Sequence, residues 1–149
     1  TSGRGAPMSK PVLVAEDPDR PSRLRTYVPL VYRFPPRETF KNARVKWVDY
    51  GGMSAVPVED AALDAKLRDI ASRFFVALRG ASFGRCDIRV DREGTPYMLE
   101  INANCGVFYP PSDFGGADIC ISHDPEGHPG FVRLLIRAAL ARHQRTRAA

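Results

Sequence analysis

The sequence predicts an α+β fold in which an antiparallel sheet is covered by one long helix and closed by a second, C-terminal helix. Three observations predict it. Short stretches of strand type precede residue 58, helical periodicity runs from Val58 to Arg79, and two alternating stretches separated by a turn occupy Phe83 to Asn102. At 149 residues, the chain is long enough to bury one core.

Three strands are predicted upstream of the long helix, at Pro11 to Glu16, Tyr27 to Phe34 and Ala43 to Tyr50. Connections rich in proline, arginine and aspartate separate them. Residues 1–10 are polar and rich in glycine, so we expect a flexible leader or a remnant of cloning there, with the folded domain at 11–149.

The long helix carries apolar residues at helical spacing, and Gly80 follows its end. These residues are Leu63, Leu67, Ile70, Phe74, Phe75 and Leu78. We expect this stripe to cover the apolar side of the following hairpin, namely Cys86, Ile88, Tyr97, Leu99 and Ile101. The last helix is predicted from Gly130 to His143, and Val107 to Pro129 is predicted to be a long loop.

The hairpin from Phe83 to Asn102 has one apolar face and one polar face. If its turn is the two-residue loop Glu93-Gly94, the pairing places Asp87 opposite Glu100 and Arg85 opposite Asn102. Directly opposed side chains have Cβ atoms about 5 Å apart, and two like charges so placed need a positive charge between them.

The polar face offers the ligands of a divalent cation. Asp87, Glu100 and Asn102 supply the carboxylate and amide oxygens that Mg²⁺ or Mn²⁺ prefers, and Arg85 supplies a fork for a phosphate oxygen. Outward carboxylates on strands are also common as plain solvated residues. The loop Asn102-x-Asn104-x-Gly106 favours the metal site, because its backbone N–H groups suit anionic oxygen.

The stretch Arg85-x-Asp87, a turn, and then Leu99-Glu100-Ile101-Asn102-Ala103-Asn104-Cys105-Gly106 strongly resembles the C-terminal half of the ATP-grasp enzymes. Within them it is most similar to the D-alanine–D-alanine ligase branch. The resemblance implies that Asp87, Glu100 and Asn102 bind Mg²⁺ and that Arg85 stabilises the phosphoryl-transfer transition state. It also implies that the backbone of Gly106 faces the reacting acyl group and that Lys46 faces a phosphate of ATP.

The function implied by the resemblance is an ATP-dependent carboxylate–amine or carboxylate–thiol ligase that acts through an acyl phosphate. Small carboxylate and amine substrates would be its partners. The family's pre-ATP domain and glycine-rich phosphate loop have no counterpart in this sequence. We therefore expect the missing N-terminal lobe to come from the same protein or from a partner chain.

The chain departs from the ligase branch after the hairpin. Cys105 replaces the usual proline, and the aromatic, proline-rich run from Phe108 to Pro111 replaces a serine-bearing one. This departure leaves D-alanine open as a substrate and favours an acid, an amine or a thiol other than D-alanine. Two alternatives remain open. One is a degenerate, non-catalytic ATP-grasp module that binds nucleotide or a partner, and the other is a two-metal phosphoesterase.

Composition narrows the partners and the compartment. All of the net charge of +5 lies upstream of the long helix, but no interleaved aromatic residues form a stacking platform, which argues against nucleic acid. No apolar run approaches a membrane span. Three cysteines without paired spacing and no signal peptide predict a cytoplasmic protein. Cys86 is predicted to be inert core, and a nucleophilic role for Cys105 is the lesser alternative.

Overall fold

The computed structural model describes residues 8–20, 22–33 and 54–148. Its strands are β1 (Met8–Glu16), β2 (Leu24–Thr26), β3 (Leu30–Arg33), β4 (Ser54–Pro57), β5 (Phe83–Val90) and β6 (Pro96–Asn102). Its helices are α1 (Ala61–Ala77), α2 (Gly116–Ser122) and α3 (Gly127–Ala148), with a 3₁₀ turn at Pro111–Asp113. The α+β class is confirmed, while the predicted strand at 43–50 lies outside the described residues.

The main sheet is four-stranded and antiparallel, with the strand order β2-β1-β5-β6, and β3 pairs with β4 in a separate two-stranded sheet. β1 lies inside the main sheet, and its residues from Pro11 to Ala15 are buried on both faces. β1 belongs to the same sheet as the hairpin. The predicted leader at residues 1–10 extends too far, because β1 begins at Met8 and Met8 to Lys10 pair with β5.

The hairpin turn has three residues and not the two that were predicted. The Asp91 N–H donates to the Thr95 carbonyl at 3.0 Å, which leaves Arg92, Glu93 and Gly94 in the loop. Gly94 has a φ of +84°, the left-handed conformation that glycine adopts without a steric penalty. The Asp91 carboxylate accepts the N–H groups of Glu93 and Thr95 and so stabilises this turn.

A bulge in β6 absorbs the extra turn residue. Near the turn Ile88 pairs with Met98, but beyond the irregularity Asp87 pairs with Glu100, so Leu99 is the extra residue. As a result, Met98 packs against the core, while Tyr97 and Leu99 are 55% and 58% exposed. The prediction that α1 covers Tyr97 and Leu99 is therefore wrong, because a bulge reverses the alternation of the strand.

Helix α1 covers the other apolar residues of the hairpin, as predicted. Asp60 caps it by accepting the N–H groups of Ala62 and Leu63. Its buried residues Leu67, Ala71 and Phe75 form a core with one face of β1 and β5. The members from the two strands are Val12, Val14, Cys86, Ile88 and Val90. Complete burial of a large apolar side chain contributes about 1.5–3 kcal/mol, so this face is a principal source of stability.

A second core lies on the opposite face of β1. Leu13 and Ala15 of β1 contact α2 and α3 there, together with Tyr27, Leu30 and Cys105. The segment from Val107 to Pro129 is therefore not the long loop that was predicted, because it contains the 3₁₀ turn and α2. Ala117, Cys120 and Ile121 of α2 are buried, and burial of this apolar side compensates for ordering the segment.

The C-terminal helix is longer than the predicted range of Gly130 to His143. α3 spans Gly127–Ala148 and buries Phe131, Leu134 and Ala138. Arg142 donates a hydrogen bond to Glu16 at the end of β1, and the Ser82 N–H donates to the same carboxylate at 2.7 Å. Within the described ranges, none of the helices has an apolar stretch long enough to span a lipid bilayer.

Candidate functional site

Arg85 and Asp87 form the centre of the polar face of the hairpin. They are alternate residues of β5, so their side chains lie on the same face. Arg85 Nε donates to Asp87 Oδ1 at 3.0 Å, and Arg85 Nη2 donates to Asp87 Oδ2 at 2.8 Å. The two side chains are only 20% and 16% exposed. This bidentate, largely desolvated pair gives Arg85 a single defined orientation.

The guanidinium of Arg85 is firmly charged. Burial lowers its pKa, but the hydrogen bonds from Arg85 to Asp87 and the charge of that carboxylate raise it more, so the pKa lies above its usual value. Arg85 therefore presents a permanent positive charge at the edge of the sheet. A charge of this kind can bind a phosphate oxygen at any physiological pH.

The register of the hairpin brings the remaining predicted ligands to the same face. Asp87 is directly opposite Glu100, and Arg85 is directly opposite Asn102, so this prediction is confirmed. Glu100 is exposed, whereas Asn102 is partly buried and accepts the Asn104 N–H at 2.9 Å through Oδ1. Arg85 supplies a positive charge beside Asp87, and this charge offsets the repulsion between the two carboxylates.

The donor set fits a hard divalent cation in its chemistry. Two carboxylates and one amide on one face supply the oxygen ligands that Mg²⁺ takes when substrate phosphates complete its coordination. Across the described part of the chain, no group of three or more His, Cys, Asp or Glu residues could hold a metal by itself. Both oxygens of Asp87 accept from Arg85, and each keeps a further lone pair that could bind a cation.

The loop after β6 carries Gly106 at its surface. A methyl group added at Gly106 would lie 2.5 Å from the ring of Tyr109, so only glycine allows this ring to rest on the backbone. Cys105 is buried next to it, and burial raises the pKa of its thiol even though Arg85 acts in the opposite direction. A buried thiol of this kind stays protonated at neutral pH, which argues against a nucleophilic Cys105.

The structure adds two residues that the sequence analysis missed, Asp118 and His128. Asp118 is completely buried, and its Oδ1 accepts the Phe108 N–H at 2.7 Å. His128 Nε2 lies 2.9 Å from the same oxygen and must donate, because a carboxylate only accepts. The sequence signal was Gly115-x-x-Asp118, since an acidic residue three positions after a helix cap bonds back to the cap N–H.

The outcomes of two further predictions concern Cys86 and Lys46. Cys86 is inert core as expected, because it is buried and burial raises the pKa of its thiol to about 12. Lys46, the predicted phosphate-facing lysine, lies outside the described residues.

Comparisons with known proteins identify relatives of this hairpin and its surroundings. The family described as D-ala D-ala ligase C-terminus matches residues 27–112. A D-alanine–D-alanine ligase of Dichelobacter nodosus is 51% identical over 48 residues, which are 32% of this chain and 16% of the relative. A D-alanine–D-alanine ligase of Bacillus cytotoxicus is 30% identical over 110 residues, which are 73% of this chain and 29% of the relative.

Solved structures share the fold. D-alanyl-alanine synthetase A of Vibrio cholerae superposes with a TM-score of 0.65 at 18% identity, over 90% of this chain and 39% of that protein. The D-alanine–D-alanine ligase of Bacillus anthracis complexed with ATP gives a TM-score of 0.65 at 14% identity, over 93% and 41%. The chain thus spans well under half of the length of these relatives. It belongs to the D-alanine–D-alanine ligase C-terminal family and is an ATP-grasp C-terminal region.

Proposed function

We propose that the protein containing this chain is an ATP-dependent carboxylate–amine ligase, and that this chain supplies the metal- and phosphate-binding half of its active site. The observation that carries the proposal is the shared polar face of the hairpin, where Glu100 opposes Asp87 and Asn102 opposes Arg85. Family membership supports it, because the relatives are named as ligases and one structural neighbour was solved with ATP.

In the proposed reaction, a substrate carboxylate oxygen attacks the γ-phosphorus of ATP, and the bond to the β-phosphate oxygen breaks. ADP leaves, and an acyl phosphate forms. The amine then attacks the acyl carbon, loses a proton, and expels inorganic phosphate. Because charge spreads over the transferring phosphoryl group, catalysis depends on positive charge and on positioning.

Each residue of the polar face has a distinct task in this proposal. Asp87, Glu100 and Asn102 hold Mg²⁺, which neutralises phosphate charge when it is bound. Arg85 exchanges its carboxylate partner for an oxygen of the transferring phosphoryl group, and its fixed charge stabilises that group. The backbone N–H of Gly106 donates to the oxygen of the reacting acyl group. Lys46 binds a phosphate of ATP.

The acid and the amine are small molecules, and the remainder of the ATP site belongs to a lobe outside this chain. We expect the reaction to take place in the cytoplasm, because Cys86, Cys105 and Cys120 are all free thiols. The aromatic loop after Gly106 supports a substrate other than D-alanine, since it replaces the serine-bearing run of the ligase branch with Phe108 and Tyr109.

A second function is a non-catalytic module that binds nucleotide or a partner. Its supporting observation is that both oxygens of Asp87 already bond to Arg85, which leaves this carboxylate satisfied without a metal. The two functions differ in chemistry, because only the ligase forms an acyl phosphate.

Hydroxylamine trapping distinguishes them. The full-length protein is incubated with ATP, Mg²⁺ and hydroxylamine, together with one acid at a time from a panel of amino and hydroxy acids that includes D-alanine. The ligase proposal expects hydroxamate and ADP in equal amounts for at least one acid. If no acid in a broad panel gives hydroxamate while the protein still binds ATP, the non-catalytic function is correct.

A further inference from the structure

The loop from Cys105 to Gly115 is held in place by one buried carboxylate. Asp118 accepts the Phe108 N–H at 2.7 Å and the Gly115 N–H at 3.3 Å, and it also bonds to His128 of α3 at 2.9 Å. These contacts join both ends of the loop to α2 and α3. A fully buried carboxylate without such partners would be strongly unfavourable, so Asp118 needs these hydrogen bonds to remain buried between the loop and the two helices.

The contact at Phe108 also holds a strained backbone. Phe108 has a φ of +68°, a left-handed conformation that is unfavourable for a residue with a side chain. Its ring lies 6.0 Å from the His128 ring and 6.2 Å from the Phe131 ring. Strain of this kind persists only where surrounding contacts impose it. Here the contacts are the Asp118 carboxylate and the rings on α3.

The side chain that follows the strained residue lies over the loop. After Phe108, Tyr109 folds back over the loop, and its ring lies against Gly106 and Gly115. A methyl group added at Gly115 would lie 3.6 Å from this ring. Both glycines lack a side chain at the point where the ring approaches. The path of the backbone around Gly106 is therefore coupled to Asp118 through Phe108 and Tyr109.

We propose that Asp118, together with His128, is a positioning residue that sets the loop backbone at Gly106 and the Tyr109 ring above it, and thereby the binding of the acyl substrate. This inference rests on the proposed function, because it concerns the acyl half of that reaction. Asp118 acts through the loop and does not itself touch the reacting atoms.

The test uses three variants of the full-length protein. Asp118→Asn places an amide donor where the carboxylate accepts, so at least one of its three hydrogen bonds is lost without a change in size. His128→Phe keeps a ring beside Phe108 but removes the hydrogen bond to Asp118. Asp113→Asn is the matched control, because Asp113 lies in the same loop, is exposed, and bonds only to the neighbouring Ser112 hydroxyl among the described side chains.

The first measurement is chymotrypsin cleavage under native conditions, followed by mass spectrometry of each cut. We expect cleavage after Phe108 and Phe114 to accelerate about tenfold in Asp118→Asn and His128→Phe. This factor corresponds to a decrease of about 1.4 kcal/mol in the free energy of local opening. Cleavage after Phe131 in the core should stay unchanged, which excludes global unfolding. Equal rates at Phe108 and Phe114 in wild type, Asp113→Asn and both variants would overturn the inference.

The second measurement separates positioning from a merely structural role. In the hydroxylamine assay, with whichever acid of the panel gives most hydroxamate, Asp118→Asn should raise the KM for that acid at least about tenfold while the KM for ATP stays within about twofold. Equal changes in both KM values, or none, would overturn the positioning role. Failure of the wild-type protein to form hydroxamate would instead overturn the proposed function, whereas the cleavage rates do not depend on ATP or on any acid.

Discussion

The two faces of the β5–β6 hairpin differ sharply although they share one backbone. On the α1 side, Cys86 and Ile88 are completely buried and pack against Leu67 and Phe75. On the other side, the intervening residues Arg85 and Asp87 form a partly exposed ion pair that faces Glu100 and Asn102. One face contributes apolar burial, and the other collects charged and polar groups, of which Arg85 and Asp87 are largely buried and Glu100 is exposed.

This difference indicates how stability and the proposed function are separated along a single strand. Because successive residues point to opposite faces, stability can be provided by even-numbered positions of β5 while chemistry is provided by odd-numbered ones. Substitutions on the α1 face should change the free energy of unfolding and leave the chemistry of folded molecules alone. Substitutions of the exposed Glu100 on the polar face should do the reverse.

The largest expected effect is on the polar face. Glu100→Gln keeps the size of the side chain but removes a charge from the proposed metal site. Hydroxamate formation by the full-length protein should therefore fall roughly a thousandfold, which corresponds to about 4 kcal/mol of lost transition-state stabilisation. Because Glu100 is exposed, the melting temperature should not change. Activity within threefold of wild type would break the proposed division between the faces.

The next effect is on the α1 face. Leu67→Ala removes a completely buried side chain, and urea denaturation should show a loss of about 3 kcal/mol in the free energy of unfolding. The exposed Ala61→Ser at the start of the same helix is the control, with a change below about 0.5 kcal/mol. If Leu67→Ala molecules that remain folded lose hydroxamate activity, the two faces are not independent.

A smaller effect is expected where the two roles meet, at Asp87. Asp87→Asn leaves the guanidinium of Arg85 largely desolvated without its counter-charge, so we expect a loss of about 1–2 kcal/mol in the free energy of unfolding in addition to lost activity. Glu100→Gln is the matched comparison, since it changes the opposite carboxylate without breaking an ion pair. Equal stability of the two variants would show that the Arg85–Asp87 pair contributes nothing measurable to the fold.

The smallest effect is the pH dependence of the α1 face. Burial raises the pKa of Cys86 from 9.0 to about 12, so the folded protein keeps a proton that the unfolded chain releases above pH 9. This contribution to stability is fully present below pH 9 and decreases as the pH rises toward 12. Cys86→Ala should therefore lose less stability than wild type when urea denaturation is repeated above pH 9. Parallel pH profiles would contradict the assignment of this thiol to a dry core.

The sequence predicted the polar face better than the rest of the hairpin. The predicted pairing of Asp87 with Glu100 is correct because the bulge in β6 compensates for a turn that is one residue longer than expected. The bulge at Leu99 that compensates for it could not be predicted, because no residue type requires it. Alternation alone therefore placed Tyr97 and Leu99 on the wrong side.

The second core was harder to predict, because its residues are distant in sequence. Nothing near Asp118 shows that its carboxylate will meet His128, since that contact requires α2 and α3 to pack on β1 first. The helix α2 is only seven residues long, which is too short for a clear periodic signal. Local sequence patterns predict local structure, whereas the contacts of the second core depend on packing between elements that are distant in the sequence.

The most direct test of the polar face as the metal–phosphate half of a ligase site is Mn²⁺ binding to the full-length protein, measured by electron paramagnetic resonance with and without a non-hydrolysable ATP analogue. We predict that wild type binds Mn²⁺ more tightly when the analogue is present, because its phosphates complete the coordination and release Asp87 from Arg85. The double variant Asp87→Asn, Glu100→Gln should lose that enhancement. Equal Mn²⁺ binding by wild type and the double variant in the presence of the analogue would contradict the account.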